Sequence, residues 1–122
     1  MLELKNKKDL EKGEKKMNEY LGILTKKITK IIALVVSNEK VDTASTLFEN
    51  YADELEEQVR DKNRKEVEKE FGHYVANLMS IIETVGLNEK QFKSTRRLIL
   101  NELYAYQDNI LLPSIKDDGE GL

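Results

Sequence analysis

Cysteine and tryptophan are absent, and proline and histidine occur once each, at Pro113 and His73. The missing cysteines exclude disulfides, thiolate zinc sites, iron–sulfur ligation and a cysteine nucleophile. One histidine is too few for a zinc site built on imidazoles. No apolar run approaches the roughly 18 residues that span a bilayer. The Lys-rich start is not followed directly by the apolar stretch of a signal peptide. A strong excess of one charge is also missing: 20 basic side chains stand against 23 acidic ones, a net charge of −3. Such a balance exerts no global pull on nucleic acid. What is present is a chain of 122 residues, 39% hydrophobic and 35% charged. That length suits one domain able to bury roughly two-thirds of its unfolded surface. A cytoplasmic domain is expected.

The charge is unevenly spread. Residues 1–40 carry ten basic and six acidic side chains, and residues 41–122 carry ten and seventeen. Both ends read as appendages. Residues 1–16 hold six lysines and only three leucines, too little apolar surface to offset the entropy of ordering, so a disordered or frayed helical extension is expected there. Residues 113–122 open with the proline and continue as an acidic tail, which reads as a helix stop followed by solvated chain. The domain is thus expected to span residues 17–112. Lys12-Gly13-Glu14 back-translates to a purine-rich ribosome-binding sequence shortly before Met17, which suggests Met17 as a natural start.

Between the ends the apolar residues keep a helical period. Met17, Leu21, Leu24, Ile28, Ile31 and Val35 advance by threes and fours, as do Val41, Ala44, Phe48, Tyr51, Leu55 and Val59. Val67, Phe71, Tyr74, Leu78, Ile81 and Val85 repeat the pattern, and Phe92, Thr95, Ile99, Leu103, Tyr106 and Ile110 follow it with one slip. Steps of three and four hold side chains on one stripe of an α-helix. Strand-type alternation is nowhere sustained. Four stripes predict four helices.

The breaks carry their own chemistry. Ser37 or Asn38 can cap the second helix, with Asp42 a later candidate. Asn63 with Glu66, and Asn88 with Gln91, have the spacing of capping boxes, and Gly86 is a C-terminal stop. Connections this short make neighbours antiparallel. The expected fold is all-α, an up-down-up-down four-helix bundle with disordered or frayed termini. The Asp61–Asn63 break is the weakest of the three, because one long helix through it would also satisfy the pattern. Gly22 and Gly72 fall inside helices at about 1 kcal/mol each relative to Ala; they read as neutral, as points of close helix approach, or as a slot for a ligand.

Catalytic patterns are sparse. Glu70-x-x-His73 has the i, i+3 spacing of di-iron bundles, which need a second such pair and two more glutamates. Histidine phosphotransfer domains place a lysine soon after the histidine, whereas Ala76 and Asn77 follow here. There is no Gly-rich phosphate loop and no serine nucleophile elbow. No catalytic residue, cofactor or metal is therefore assigned, and the chain reads as a non-enzyme.

Asp53-Glu54-Leu55-Glu56-Glu57, a charged turn, then Glu70-Phe71-Gly72-His73 and an apolar run form a stretch, Leu47 to Asn88, that resembles the all-α nucleotide pyrophosphohydrolases of the MazG type. The resemblance implies two helices whose carboxylates hold magnesium against a nucleotide's phosphates. Glu54 and Glu70 match ligand positions, but Tyr51 and His73 stand where the other two carboxylates belong. Tyr is no hard-cation ligand and His suits magnesium poorly. Glu54, Glu70 and His73 are the metal-ligating candidates of this reading, a degenerate relative binding a nucleotide or metal.

Basic residues cluster as Lys26, Lys27 and Lys30, as Lys62, Arg64 and Lys65, and as Lys90, Lys93, Arg96 and Arg97. Such clusters would give a weak, salt-sensitive nucleic-acid regulator. The acidic face of Glu49, Asp53, Glu56 and Glu57 and the lack of a helix-turn-helix signature argue against it. The more telling surplus is apolar. Leu100, Tyr104 and Leu111 form a second stripe about 100° from the core stripe of the fourth helix, and Ile31, Ile32, Leu34, Val35 and Val36 leave no polar face at the end of the first. Extra apolar surface is covered by a wider core or by another chain. The expectation is a protein-binding module (adaptor, inhibitor or regulatory subunit), with a composition that suits a bacterial or phage protein. Arg96, Arg97, Leu100, Tyr104 and Leu111 would touch another protein or a second copy, and the acidic Glu49 and Asp53 would select the partner.

Overall fold

The structure, a computed structural model, describes residues 2–115, with side chains from residue 18 onward. Four helices follow one another: α1 (Leu2–Ala33), α2 (Asn38–Gln58), α3 (Arg64–Thr84) and α4 (Glu89–Tyr106), the last continued by a π-turn (Gln107–Leu111). α1 packs on α2 and α4, and α3 packs on α2 and α4, so the helices close into a four-membered ring. With its short connections this is an up-down-up-down bundle. No strand occurs among the described residues. Residues 2–16 belong to α1, so of the two forms expected for the N-terminal extension the helical one is present; Met1 and the acidic residues from 116 onward lie outside what is described. The fold itself runs past residue 112: the Ser114 hydroxyl donates to the Leu111 carbonyl at 2.7 Å, and Ile115 packs on the core.

Each break has a local cause. Asp61 adopts a left-handed φ of 60° after α2, so helix 41–85 is not continuous and the long-helix alternative fails. The Asn63 side chain accepts from Glu66 N at 2.9 Å, but the Glu66 carboxylate meets the Asn63 amide at 3.1 Å and leaves the backbone N–H alone, so this is half a capping box. Asn88 and Gln91 complete theirs, with bonds of 2.8 and 3.2 Å. Gly86 takes φ 82°, the left-handed position that lets α3 end. Lys40 from α2 donates to the Val85 carbonyl at 3.1 Å, placing a cation at the negative end of the α3 dipole. Ser37 precedes α2 in an extended conformation but makes no side-chain cap.

The core follows the stripes closely. All six residues of the α3 stripe are buried, joined by Val75 and Ile82. In α2, Ala52 is buried while Tyr51 is only partly so; in α1 the last core residue is Ile32, with Ile31 and, just past the helix, Val36 packed at its edge. The Phe71 ring lies 5.5 Å from Tyr74 and 5.9 Å from Tyr106, tying α3 to α4. An added Cβ at Gly22 or Gly72 would meet nothing within 4 Å. Neither glycine marks a close approach of helices or a slot.

Candidate functional site

α4 is regular from its capping box to Tyr106 and buries Thr95, Ile99, Leu103 and Tyr106. At 100° per residue, two flanks border that stripe. Leu98, Glu102 and Ala105 share one. It faces α1, because Glu102 reaches Lys27 at 3.6 Å. Lys93, Arg97, Leu100 and Tyr104 therefore share the flank on the α3 side, with Arg96 between it and the core. Tyr104 is 49% exposed, both arginines are exposed, and Leu100 is half-buried against the core. Lys93 pairs with Glu89 at 3.3 Å, an exposed i, i+4 contact of little strength.

Leu111 does not belong with them. It is fully buried, at 0% exposure. A continuous α-helix would align it with Leu100, but the chain closes a π-turn, with Leu112 N donating to the Gln107 carbonyl at 2.9 Å. The extra residue in that turn rotates Leu111 back beneath Leu103, into the core. The expected interface stripe is thus cut to Leu100 and Tyr104.

The acidic pair also lies elsewhere. Tyr51, Glu54 and Gln58 line a depression with Glu70, His73 and Asn77, which fixes the flank of α2 that faces α3. Glu49 and Asp53, both exposed, occupy the opposite flank, on the α1 side. In a four-membered ring the α1–α2 face and the α3–α4 face are on opposite sides. Glu49 and Asp53 are therefore on the side of the ring opposite Arg96, Arg97, Leu100 and Tyr104. On the acidic side Glu56 is half-buried, and its carboxyl is pushed above its ordinary value, first by burial, then by Asp53, with Arg60 opposing.

The four positions of the pyrophosphohydrolase register (Tyr51, Glu54, Glu70 and His73) do share that α2–α3 depression. Its volume is about 30 Å³, room for about one water. Among the described residues no three His, Asp or Glu side chains gather closely enough to hold a metal ion. Inside the bundle, burial raises the Tyr74 and Tyr106 hydroxyl pKa values well above the ordinary range. Thr25 is the neighbour that partly offsets this at Tyr74, but its own proton goes to the Leu21 carbonyl at 2.9 Å. The Tyr74 oxygen is buried without a hydrogen bond of good geometry.

The α1–α4 face adds residues that the stripe pattern passed over. Tyr20 (40%), Ile23 (43%) and Leu98 (48%) are exposed there, around the Lys27–Glu102 bridge. Tyr20, Ile23 and Ala105 border a cleft of about 220 Å³ beside the π-turn. The signal was available as Tyr20, Ile23 and Lys27 at spacings of three and four, a flank next to the core stripe. Comparison with known protein families, curated proteins and solved structures finds no match. Among the described residues no helix is long and apolar enough to cross a membrane.

Proposed function

We propose that this chain is a cytoplasmic protein-binding module, an adaptor, inhibitor or regulatory subunit of bacterial or phage type, which docks through the α3-side flank of α4. Tyr104 carries this reading: a large amphipathic side chain, 49% exposed, in the last turn of α4. Leu100 lies one turn before it and Arg97 two turns before it. Tyrosine and arginine dominate interface energetics, because each offers a large rigid contact together with polar reach. α3 and α4 also form the thinnest of the four helix seams, which leaves this flank accessible. The complementary partner presents a pocket for the Tyr104 ring rimmed by carboxylates, and the charges of Lys93, Arg96 and Arg97 speed and orient the encounter.

The experiment is affinity capture with mass spectrometry from cells that make the protein, comparing wild type with Tyr104→Asp and Arg97→Glu. Both sites are exposed, so both variants stay folded. Leu100→Asp is a poorer probe because Leu100 also packs on the core. Loss of one protein from both variants supports the reading; identical capture by all three ends it. The nucleotide alternative draws on the shared depression of Tyr51, Glu54, Glu70 and His73. Magnesium-dependent cleavage of nucleoside triphosphates, lost in Glu54→Ala and Glu70→Ala, would carry that reading instead.

A further inference from the structure

We propose that the α1–α4 face is a second interface, on which another copy of this chain docks with α1 against the partner's α4. The face lies on the other flank of α4 from Tyr104 and does not depend on the binding function proposed above. Its make-up is self-complementary. Lys27 and Glu102 meet at 3.6 Å, with Tyr20, Ile23 and Ala105 to one side, and the i, i+4 spacing sets exposed Leu98 one turn from Glu102 on the other. Both charges of the bridge remain substantially exposed, at 57% and 40% of their side-chain surface.

Charge chooses between the two ways of pairing this face with itself. A two-fold axis across the helices stacks α1 on α1 and sets Lys27 against Lys27, which costs energy. A two-fold axis along the bundle sets α1 against α4 at the same height. Lys27 and Lys30 then meet the partner's Glu102, and Ile23 and Tyr20 meet the partner's Ala105. The antiparallel α1–α4 packing already present within one chain is repeated between chains. Such an isologous contact closes at two copies. It covers three of the large apolar side chains that a lone chain leaves in water, the usual driving force of association.

Sedimentation of the full chain from micromolar to millimolar concentration tests this, together with Ile23→Lys, Leu98→Lys and Tyr104→Asp. Wild type is expected to dimerise. The Ile23 and Leu98 variants should each weaken the dimer by about tenfold or more while keeping their helicity, and Tyr104→Asp should not. A monomer at every concentration overturns the proposal, as does a dimer insensitive to both lysine variants. The lack of native cysteine gives a second readout in an otherwise unchanged chain. An Ile23→Cys chain mixed with an Ala105→Cys chain should form a mixed disulfide faster than either forms one with itself. Preferential Ile23→Cys self-linking would overturn the arrangement.

Discussion

α3 and α4 are similar in length and in apolar period, yet they use their side chains differently. α3 places every one of its large apolar residues in or against the core, and none appears among the strongly exposed ones. α4 leaves Leu98 and Tyr104 about half exposed, one on each flank, and then departs from α-helical geometry to return Leu111 to the core. The difference separates two kinds of surplus. Leu111 is surplus only on paper, since a π-turn re-aims it. Tyr104 is surplus in space. A helix that serves only to hold the bundle together looks like α3, whereas α4 leaves a large apolar side chain in water on each flank.

The sharpest way to break this contrast is to truncate the re-aimed residue. Leu111→Ala should cost about 2–5 kcal/mol in urea unfolding, the range for a buried leucine, although a continuous helix would have put it on the surface. A change within the noise of surface substitutions would return Leu111 to the interface. Deleting Asn109 sharpens the same point: with one residue fewer the turn can close as an ordinary α-turn and still bring Leu111 under Leu103, so a cooperative melt should survive.

On the α3 side, Gly72→Ala should raise stability by about 1 kcal/mol, because the added methyl meets open space and the helix gains propensity. A loss would mean that α3 carries a contact on its outer face. The smallest effect concerns Glu56, whose folded-state pKa is raised above the ordinary value of 4.5. The folded chain holds this proton more tightly than the unfolded one, so the stability it contributes is present at low pH and is lost as pH rises through the shifted value. Glu56→Gln should therefore melt slightly above wild type at pH 7 and lose that advantage well below pH 4.5. A variant that melts lower at pH 7 would contradict burial as the cause.

Most of the architecture was legible in the residues. The α3 stripe from Val67 to Val85 was readable because one uninterrupted helix keeps one phase, and Asn88, Gln91 and Gly86 announce their roles by chemistry that needs no tertiary context. Ala52 escaped because a small side chain gives a weak apolar signal, even where close packing buries it beside Tyr51. Leu111 was misplaced because nothing in Gln107-Asp108-Asn109-Ile110 marks a π-turn; the gain from burying Leu111 selects it. The candidate site was only half legible. Arg97, Leu100 and Tyr104 share a flank by spacing alone, with Arg96 beside them. That Glu49 and Asp53 face the opposite side depends on which flank of α2 meets α3, a property of the ring and not of any one helix.

The central claim is that Tyr104, on the α3-side flank of α4, contributes to recognition and not to folding. It is tested most directly by measuring, on one preparation of Tyr104→Asp, both the free energy of unfolding and the binding of the protein captured by wild type. The account predicts unfolding within about 0.5 kcal/mol of wild type, as for an ordinary surface position, with binding lost. Unfolding weakened as much as by Leu111→Ala, or binding retained at wild-type strength, would contradict it.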